Sequence, residues 1–210
     1  MKRHPLFVLG RILLVPWIRF LFFIKLNGKK NVPRDGAYII CSNHLSNLDP
    51  VFLGVTQRRQ IFYMAKAELF RNKFFAGLIR KLGAFPVQRG AGDGKAINEA
   101  EEIVKSGRLL GIFIEGTRSK TGEFLRPKSG AAIVASQMKV PVIPVCITPK
   151  NKKKKVRVFS RVIVSWGKPI TPEELGVVEG SIESYRKGAK RIMDEIKALR
   201  ARDLGLEEEK

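Results

Sequence analysis

Apolar residues fill positions 5–26 almost without a break, PLFVLGRILLVPWIRFLFFIKL, and only Arg11, Arg19 and Lys25 interrupt them with charge. At ~100° per residue these three bases share roughly 120° of a helix circumference, so the rest of the surface is apolar. Lys2 and Arg3 precede the run and Lys29 and Lys30 follow it, which disfavours a span with one end across the membrane. Pro16 falls midway and predicts two short helices dipping into one leaflet, with Trp17 near the headgroups and the bases snorkelling. Residues 1–27 are therefore expected to be a monotopic membrane-anchoring helical segment with both ends on the cytoplasmic side. A helix packed on its own domain and a signal peptide are the alternatives. The second lacks a small-residue cleavage site, because LNGKK follows the run.

Beyond Gly28 the pattern changes to short apolar runs separated by helical periodicity. Strands are predicted at 37–41, 61–65, 85–87, 109–114, 142–147 and 162–166. Helices are predicted at 51–55, 69–82, 95–105 and 131–139, the third entering after Asp93 and leaving at Gly107. Ile182, Tyr185, Ala189, Ile192, Met193, Ile196 and Leu199 recur at three- and four-residue spacing and mark a last amphipathic helix. The alternation predicts an α/β fold: a central, largely parallel or mixed sheet flanked by helices, behind the N-terminal apolar helical segment. We expect one domain over 28–203 and a frayed tail over 204–210.

The charge narrows the partners. Forty Lys and Arg against 19 Asp and Glu give a formal net charge of +21 over 210 residues, which predicts attraction to something anionic. Nucleic acid, an acidic lipid surface and a phosphorylated substrate all qualify. A nucleic-acid binder has no need of the greasy N-terminal run, so the membrane surface is preferred and nucleic acid is not expected. Cys41 and Cys146 each sit in an apolar strand-like run, as expected of buried free thiols in a reducing, cytoplasm-facing protein.

Base chemistry is prepared at one place, the run NHLSNLD from Asn43 to Asp49. His44 precedes Asp49 by five residues. A carboxylate that receives one ring N–H sets the imidazole tautomer and stabilises the imidazolium formed when the other nitrogen takes a proton. No G-x-S-x-G elbow occurs in the chain. The group activated by such a dyad is most simply a substrate hydroxyl, which points to group transfer onto an alcohol. The ordinary alternative is a polar residue at a strand end and an Asp-Pro helix start.

Further constellations bear on the site. Gly116, Thr117, Arg118 and Ser119 follow the strand-like 109–114 and Glu115, and suit phosphate; a solvated turn has similar letters. Arg89, after strand 85–87 and beside Gly90, offers a second guanidinium, or is a surface arginine. The segment VPVIPV, 140–145, reads as core or as the wall of an acyl or oxyanion pocket, its prolines placing it at a sheet margin or in a loop. Leu69, Phe70, Phe74, Phe75 and Leu78 lie among Arg71, Lys73, Arg80 and Lys81, partly core and partly a second membrane-touching face. Four lysines at 152–155 form a solvated loop that can also meet anionic headgroups.

These blocks, in this order, resemble the glycerolipid acyltransferases, and within them the lysophosphatidic acid acyltransferases. NHLSNLD resembles the family's His-x4-Asp block, KAELFRNKFFAGLIRKLGAFPVQRG (66–90) its second block ending in arginine, EGTRS (115–119) its third, and VPVIPV its fourth. Gln88 and Ile114 stand where the family often has an acidic residue and a proline. The resemblance implies transfer of a fatty acyl group from acyl-CoA or acyl-acyl carrier protein, as co-substrate, to the sn-2 hydroxyl of lysophosphatidate, giving phosphatidate. It implies His44 and Asp49 as catalytic residues. Arg118 and Arg89 would hold the glycerol phosphate, aided by Gly116 and Thr117 N–H groups, with Glu115 binding the polyol or orienting an arginine. No metal or bound cofactor is implied, and the location is the cytoplasmic face of the inner membrane. Remaining alternatives are another acceptor such as glycerol 3-phosphate, a two-step route through Cys41 or Ser42, and a basic binding module without activity.

Overall fold

The computed structural model describes residues 5–87, 94–151 and 155–206. Arg89, Gln88, the Asp93 helix entry, most of the lysine run and the last four residues lie outside them. The elements are α1 (Pro5–Leu21), β1 (Lys25–Asn27), β2 (Tyr38–Ser42), α2 (Asp49–Thr56), β3 (Ile61–Lys66), α3 (Lys73–Lys81), β4 (Ala84–Val87) and α4 (Gly94–Lys105). They continue with β5 (Leu109–Phe113), α5 (Gly130–Met138), β6 (Val142–Pro149), β7 (Val162–Trp166), α6 (Pro172–Leu175) and α7 (Ile182–Leu204).

The strands form one seven-stranded sheet in the order β1-β7-β6-β2-β5-β3-β4. Every pairing is parallel except β6 with β7, so the expected largely parallel sheet flanked by helices is what the chain forms. All eight residues of β6 and all five of β7 are buried, as strands covered on both faces must be. One face holds α4, α5 and α7, whose Val104, Ala131, Ala135, Ile192 and Ile196 pack on Ile39, Cys41, Leu110 and Cys146. The other face holds α1 and α2, with Phe22 and Phe52 packed on Ile40, Ile143, Val145 and Val164.

Four expectations need correction. The helical segment expected over 1–27 ends at Leu21, and Lys25–Asn27 is strand β1 because it pairs with β7. α1 runs unbroken through Pro16 as one helix instead of two; a single proline removes one donor and bends a helix without having to end it. The predicted helix over 69–82 is a 3-10 turn at Ala67–Phe70 followed by the shorter α3. VPVIPV is not marginal: β6 is an interior strand with β7 and β2 on its two sides. Pro144 fits there because its missing N–H faces the β7 side, where the ladder is already interrupted. Val142 exchanges both backbone bonds with Ile170 (2.9 and 2.8 Å), the β7 pairing resumes at Val145 opposite Trp166, and Gly167 lies between. A Cβ on Gly167 would stand 2.7 Å from Pro144 Cγ, so proline and glycine fit as a pair.

Candidate active site

Three parallel strands, β2, β5 and β3, lie side by side, and the loops leaving β2 and β5 meet at their C-terminal edge. Asn43 takes the first position after β2 and is fully buried. Its side-chain amide donates to Ile147 O (3.0 Å) and accepts from Ile147 N (2.8 Å), so a side chain continues the β2–β6 ladder beyond Ser42 and Val145. That pins the residue before His44. The His44 backbone is then held on both sides: its N–H donates to Glu115 Oε1 (3.2 Å) and its carbonyl accepts from Ser119 N (2.8 Å).

The His44 ring meets Asp49. Nδ1 lies 2.7 Å from Asp49 Oδ2, and the same oxygen accepts from Leu45 N (2.6 Å) and Ser46 N (2.8 Å). Two backbone donors on that oxygen make it the acceptor for the ring as well, which places the imidazole proton on Nδ1 and leaves Nε2 with its lone pair. Asp49 is fully buried, whereas the His44 side chain keeps 16 % of its surface exposed. The carboxylate opens α2 but does not cap it: it turns back onto the loop, and Pro50 supplies the preorganised φ of the first helical turn. Beneath the imidazole, Phe113 stacks at 4.0 Å between centroids and 14° between planes, and Tyr63 follows at 6.0 Å and 13°. Gly111 makes room for this column, since a Cβ there would come within 2.4 Å of the Tyr63 ring.

The third block closes around the same point. The turn after β5 returns the Gly116 N–H to Phe113 O (3.0 Å), with Gly116 at φ +67°. That amide is therefore committed within the protein. Thr117 and Arg118 are exposed, two and one residues before Ser119, whose N–H bonds to His44. Glu115, read from sequence as a substrate contact, is only 2 % exposed. Its two oxygens accept from His44 N and Leu125 N (3.2 and 3.1 Å), so it joins the β2 and β5 loops from inside. Burial pushes its carboxyl up, opposed by those two bonds and by the charge of Arg200. Arg200 itself lies over the Phe124 ring at 3.7 Å and donates to Gly122 O at 2.8 Å, bracing the loop that follows Arg118.

A covalent route has little to stand on. Cys41 is fully buried and desolvation pushes its thiol well above the ordinary range, while the buried Ser42 hydroxyl donates to Asn43 O (3.1 Å). Cys146, likewise buried, is pushed up to about 11 by desolvation. Sequence reasoning missed the column of Phe113 and Tyr63, the clasp of Asn43 and the brace of Arg200. The available signal was Asn43 itself, a polar residue directly after an apolar strand, with a side chain that mimics a peptide.

Comparison with known proteins decides the family, because the family model described as acyltransferase matches residues 23–148, from β1 through the whole site to β6. The chain belongs to the acyltransferase family. This acyltransferase groups with the 1-acyl-sn-glycerol-3-phosphate acyltransferases. That of Bacillus subtilis (strain 168) is 33% identical over 148 residues, covering 70% of this chain and 73% of the relative. That of Streptococcus pneumoniae (strain ATCC BAA-255 / R6) is 33% identical over 175 residues, covering 82% of this chain and 64% of the relative. The crystal structure of the 1-acyl-sn-glycerophosphate acyltransferase PlsC from Thermotoga maritima superposes with a TM-score of 0.72 at 26% identity, over 97% of this acyltransferase and 80% of that chain.

Proposed function

We propose that this acyltransferase moves a fatty acyl group from a thioester, acyl-CoA or acyl-acyl carrier protein, to the sn-2 hydroxyl of 1-acyl-sn-glycerol 3-phosphate. The product is phosphatidate, a step of phospholipid biosynthesis. The observation that carries the reading is the His44–Asp49 pair, with Nδ1 bound to the carboxylate and Nε2 open.

In the proposed reaction the acceptor hydroxyl gives its proton to His44 Nε2 as its oxygen attacks the thioester carbonyl carbon. The tetrahedral intermediate collapses with breakage of the C–S bond, and the imidazolium returns the proton to the departing thiolate. Asp49 keeps the ring in the right tautomer and offsets its transient charge. Arg118 and Thr117, exposed beside the His44 loop, are assigned to the glycerol phosphate; Arg89 is assigned with them on sequence alone. Guanidinium forks suit phosphate oxygens, and holding two substrates in line supplies much of the rate. The donor is a co-substrate, and the steps written here need no metal or bound cofactor.

The membrane reading rests on α1. Ile12, Leu13, Leu14, Trp17 and Phe20 are 52–68 % exposed on this helix, and Phe23, Val158 and Phe159 extend the apolar surface beside its end. No helix among the described residues is long and apolar enough to cross a membrane. An apolar helix face with a tryptophan and flanking bases is suited to lie in one leaflet, here proposed as the cytoplasmic leaflet of the inner membrane, where acceptor and product reside.

The test is purified protein with lysophosphatidate in vesicles and a panel of acyl thioesters, read by lipid mass spectrometry. Phosphatidate formation is expected, and His44→Ala should lower kcat by about 10²–10⁴-fold or more. Full turnover by His44→Ala would refute the base assignment; product only from glycerol 3-phosphate would refute the acceptor.

A further inference from the structure

The edge of the sheet opposite His44 carries a concavity that plays no part in the reaction proposed above. The loop after β1, the loop between α2 and β3, and the end of β7 line a half-open cleft of 840 Å³, within the range of roughly 300–1,000 Å³ typical of small-molecule sites. β2, five residues long, separates the two edges by about 3.3 Å per residue, so the cavity is remote from the dyad. Its walls hold Lys29, Lys30, Arg34, Arg58 and Arg59, with Val32, Pro33 and Trp166 between them.

These cations are not equivalent. Arg59 is committed to structure: it donates to the carbonyls of Pro33 (3.2 Å), Gly36 and Gly107 (3.1 Å), stitching the loops together. Lys29, Lys30, Arg34 and Arg58 are exposed, and none forms an ion pair among the described residues. Asp35 is the carboxylate whose charge is felt at Arg59. Elsewhere on the surface lysines and arginines meet acids at i,i+3 and i,i+4, as on α4 and α7. Here four cations without an ion-pair partner among the described residues line one concavity, and their mutual repulsion is relieved when an anion enters.

The geometry points to a binding site for a soluble, multiply phosphorylated small molecule, such as a nucleoside diphosphate. Arg34, Arg58 and the two lysines take the phosphates, and the half-buried Val32 and Pro33 offer the apolar wall for the organic part. Several phosphates are favoured because one, carrying at most about two negative charges at neutral pH, offsets only part of the charge of four cations. A soluble source is favoured over a lipid headgroup because α1 joins the sheet at the other edge, through Leu21 and Phe22 beside the start of β7. The choice of a soluble source rests on the membrane reading of α1 proposed above; the anion site itself does not depend on the acyl-transfer chemistry.

Isothermal titration of the full-length protein at about 0.15 M salt, where the Debye length is about 8 Å, tests it with pyrophosphate, ADP and vesicles of phosphatidylcholine with phosphatidate. Saturable binding of ADP and pyrophosphate is expected. The double variant Arg34→Ala/Arg58→Ala should weaken it roughly tenfold or more, and Lys29→Gln/Lys30→Gln should act in the same direction. Arg118→Ala should leave it unchanged, and acyl transfer by the Arg34→Ala/Arg58→Ala protein should persist. No saturable binding of soluble phosphates, binding that survives both double variants in folded protein, loss on Arg118→Ala, or capture of vesicles alone would each overturn the assignment.

Discussion

Glu115→Gln separates two roles for the glutamate of the third block, a contact to the acceptor or a clasp on His44. The carboxylate accepts one N–H on each oxygen, from His44 and from Leu125. Glutamine keeps one oxygen and presents an NH₂ to the second donor. One buried N–H then loses its partner, at a cost of about 1–3 kcal/mol, while the burial penalty of the charge is relieved. The two effects partly cancel, so the fold should survive with a loss of roughly 1–2 kcal/mol in urea unfolding. Catalysis should suffer more, because either orientation of the amide breaks the clasp that ties the His44 loop to Leu125, and a misplacement near 1 Å can cost about 10²-fold. The expected result is a kcat lower by roughly 10–100-fold with KM for lysophosphatidate within about threefold of wild type. A tenfold rise in KM with kcat retained would refute the clasp and return the carboxylate to the substrate.

The same variant gives a pH signature. Glu115 binds its proton more tightly folded than unfolded, so wild-type stability relative to Glu115→Gln should be highest below the ordinary glutamate range and fall as pH rises through the folded pKa. Urea midpoints compared across acid pH check this; a difference that grows with pH would contradict it. Gly111→Ala should displace the Tyr63 ring, lose about 1–3 kcal/mol and lower kcat through Phe113, measured by thermal melting and turnover. Ile12→Glu/Trp17→Glu should reduce vesicle cosedimentation while leaving the melting of the folded domain within about 0.5 kcal/mol, as befits exposed positions. Asn43→Ala should remove both bonds to Ile147 and cost about 2–3 kcal/mol, read by denaturant unfolding.

Local chemistry was the most legible part of this chain. His44 and Asp49 are close in sequence, so their spacing already predicts a meeting, and the α/β alternation after Gly28 predicts the sheet because each strand carries its own apolar run. What escaped depends on partners far along the chain. β1 hides in the same apolar run as α1, and only its pairing with β7 makes Lys25–Asn27 a strand. Pro144 argued against an interior strand until Gly167 and Ile170 supplied the gap it occupies. The clasp by Glu115 was unreadable for a different reason: its partners are backbone amides, which every residue possesses and no side-chain pattern announces.

The passage from α1 into the sheet contains no slack. Leu21 and Phe22 at the helix end accept backbone bonds from Phe159 and Val162 (2.6 and 3.1 Å), and β1 begins three residues later. The apolar helix is thus a strut and not a leash: any surface on which it rests sets the tilt and height of His44 above that surface. If the proposed membrane contact of α1 holds, a flexible spacer inserted before Lys25 would leave attachment intact yet let the His44 edge swing away from lipids held in the plane.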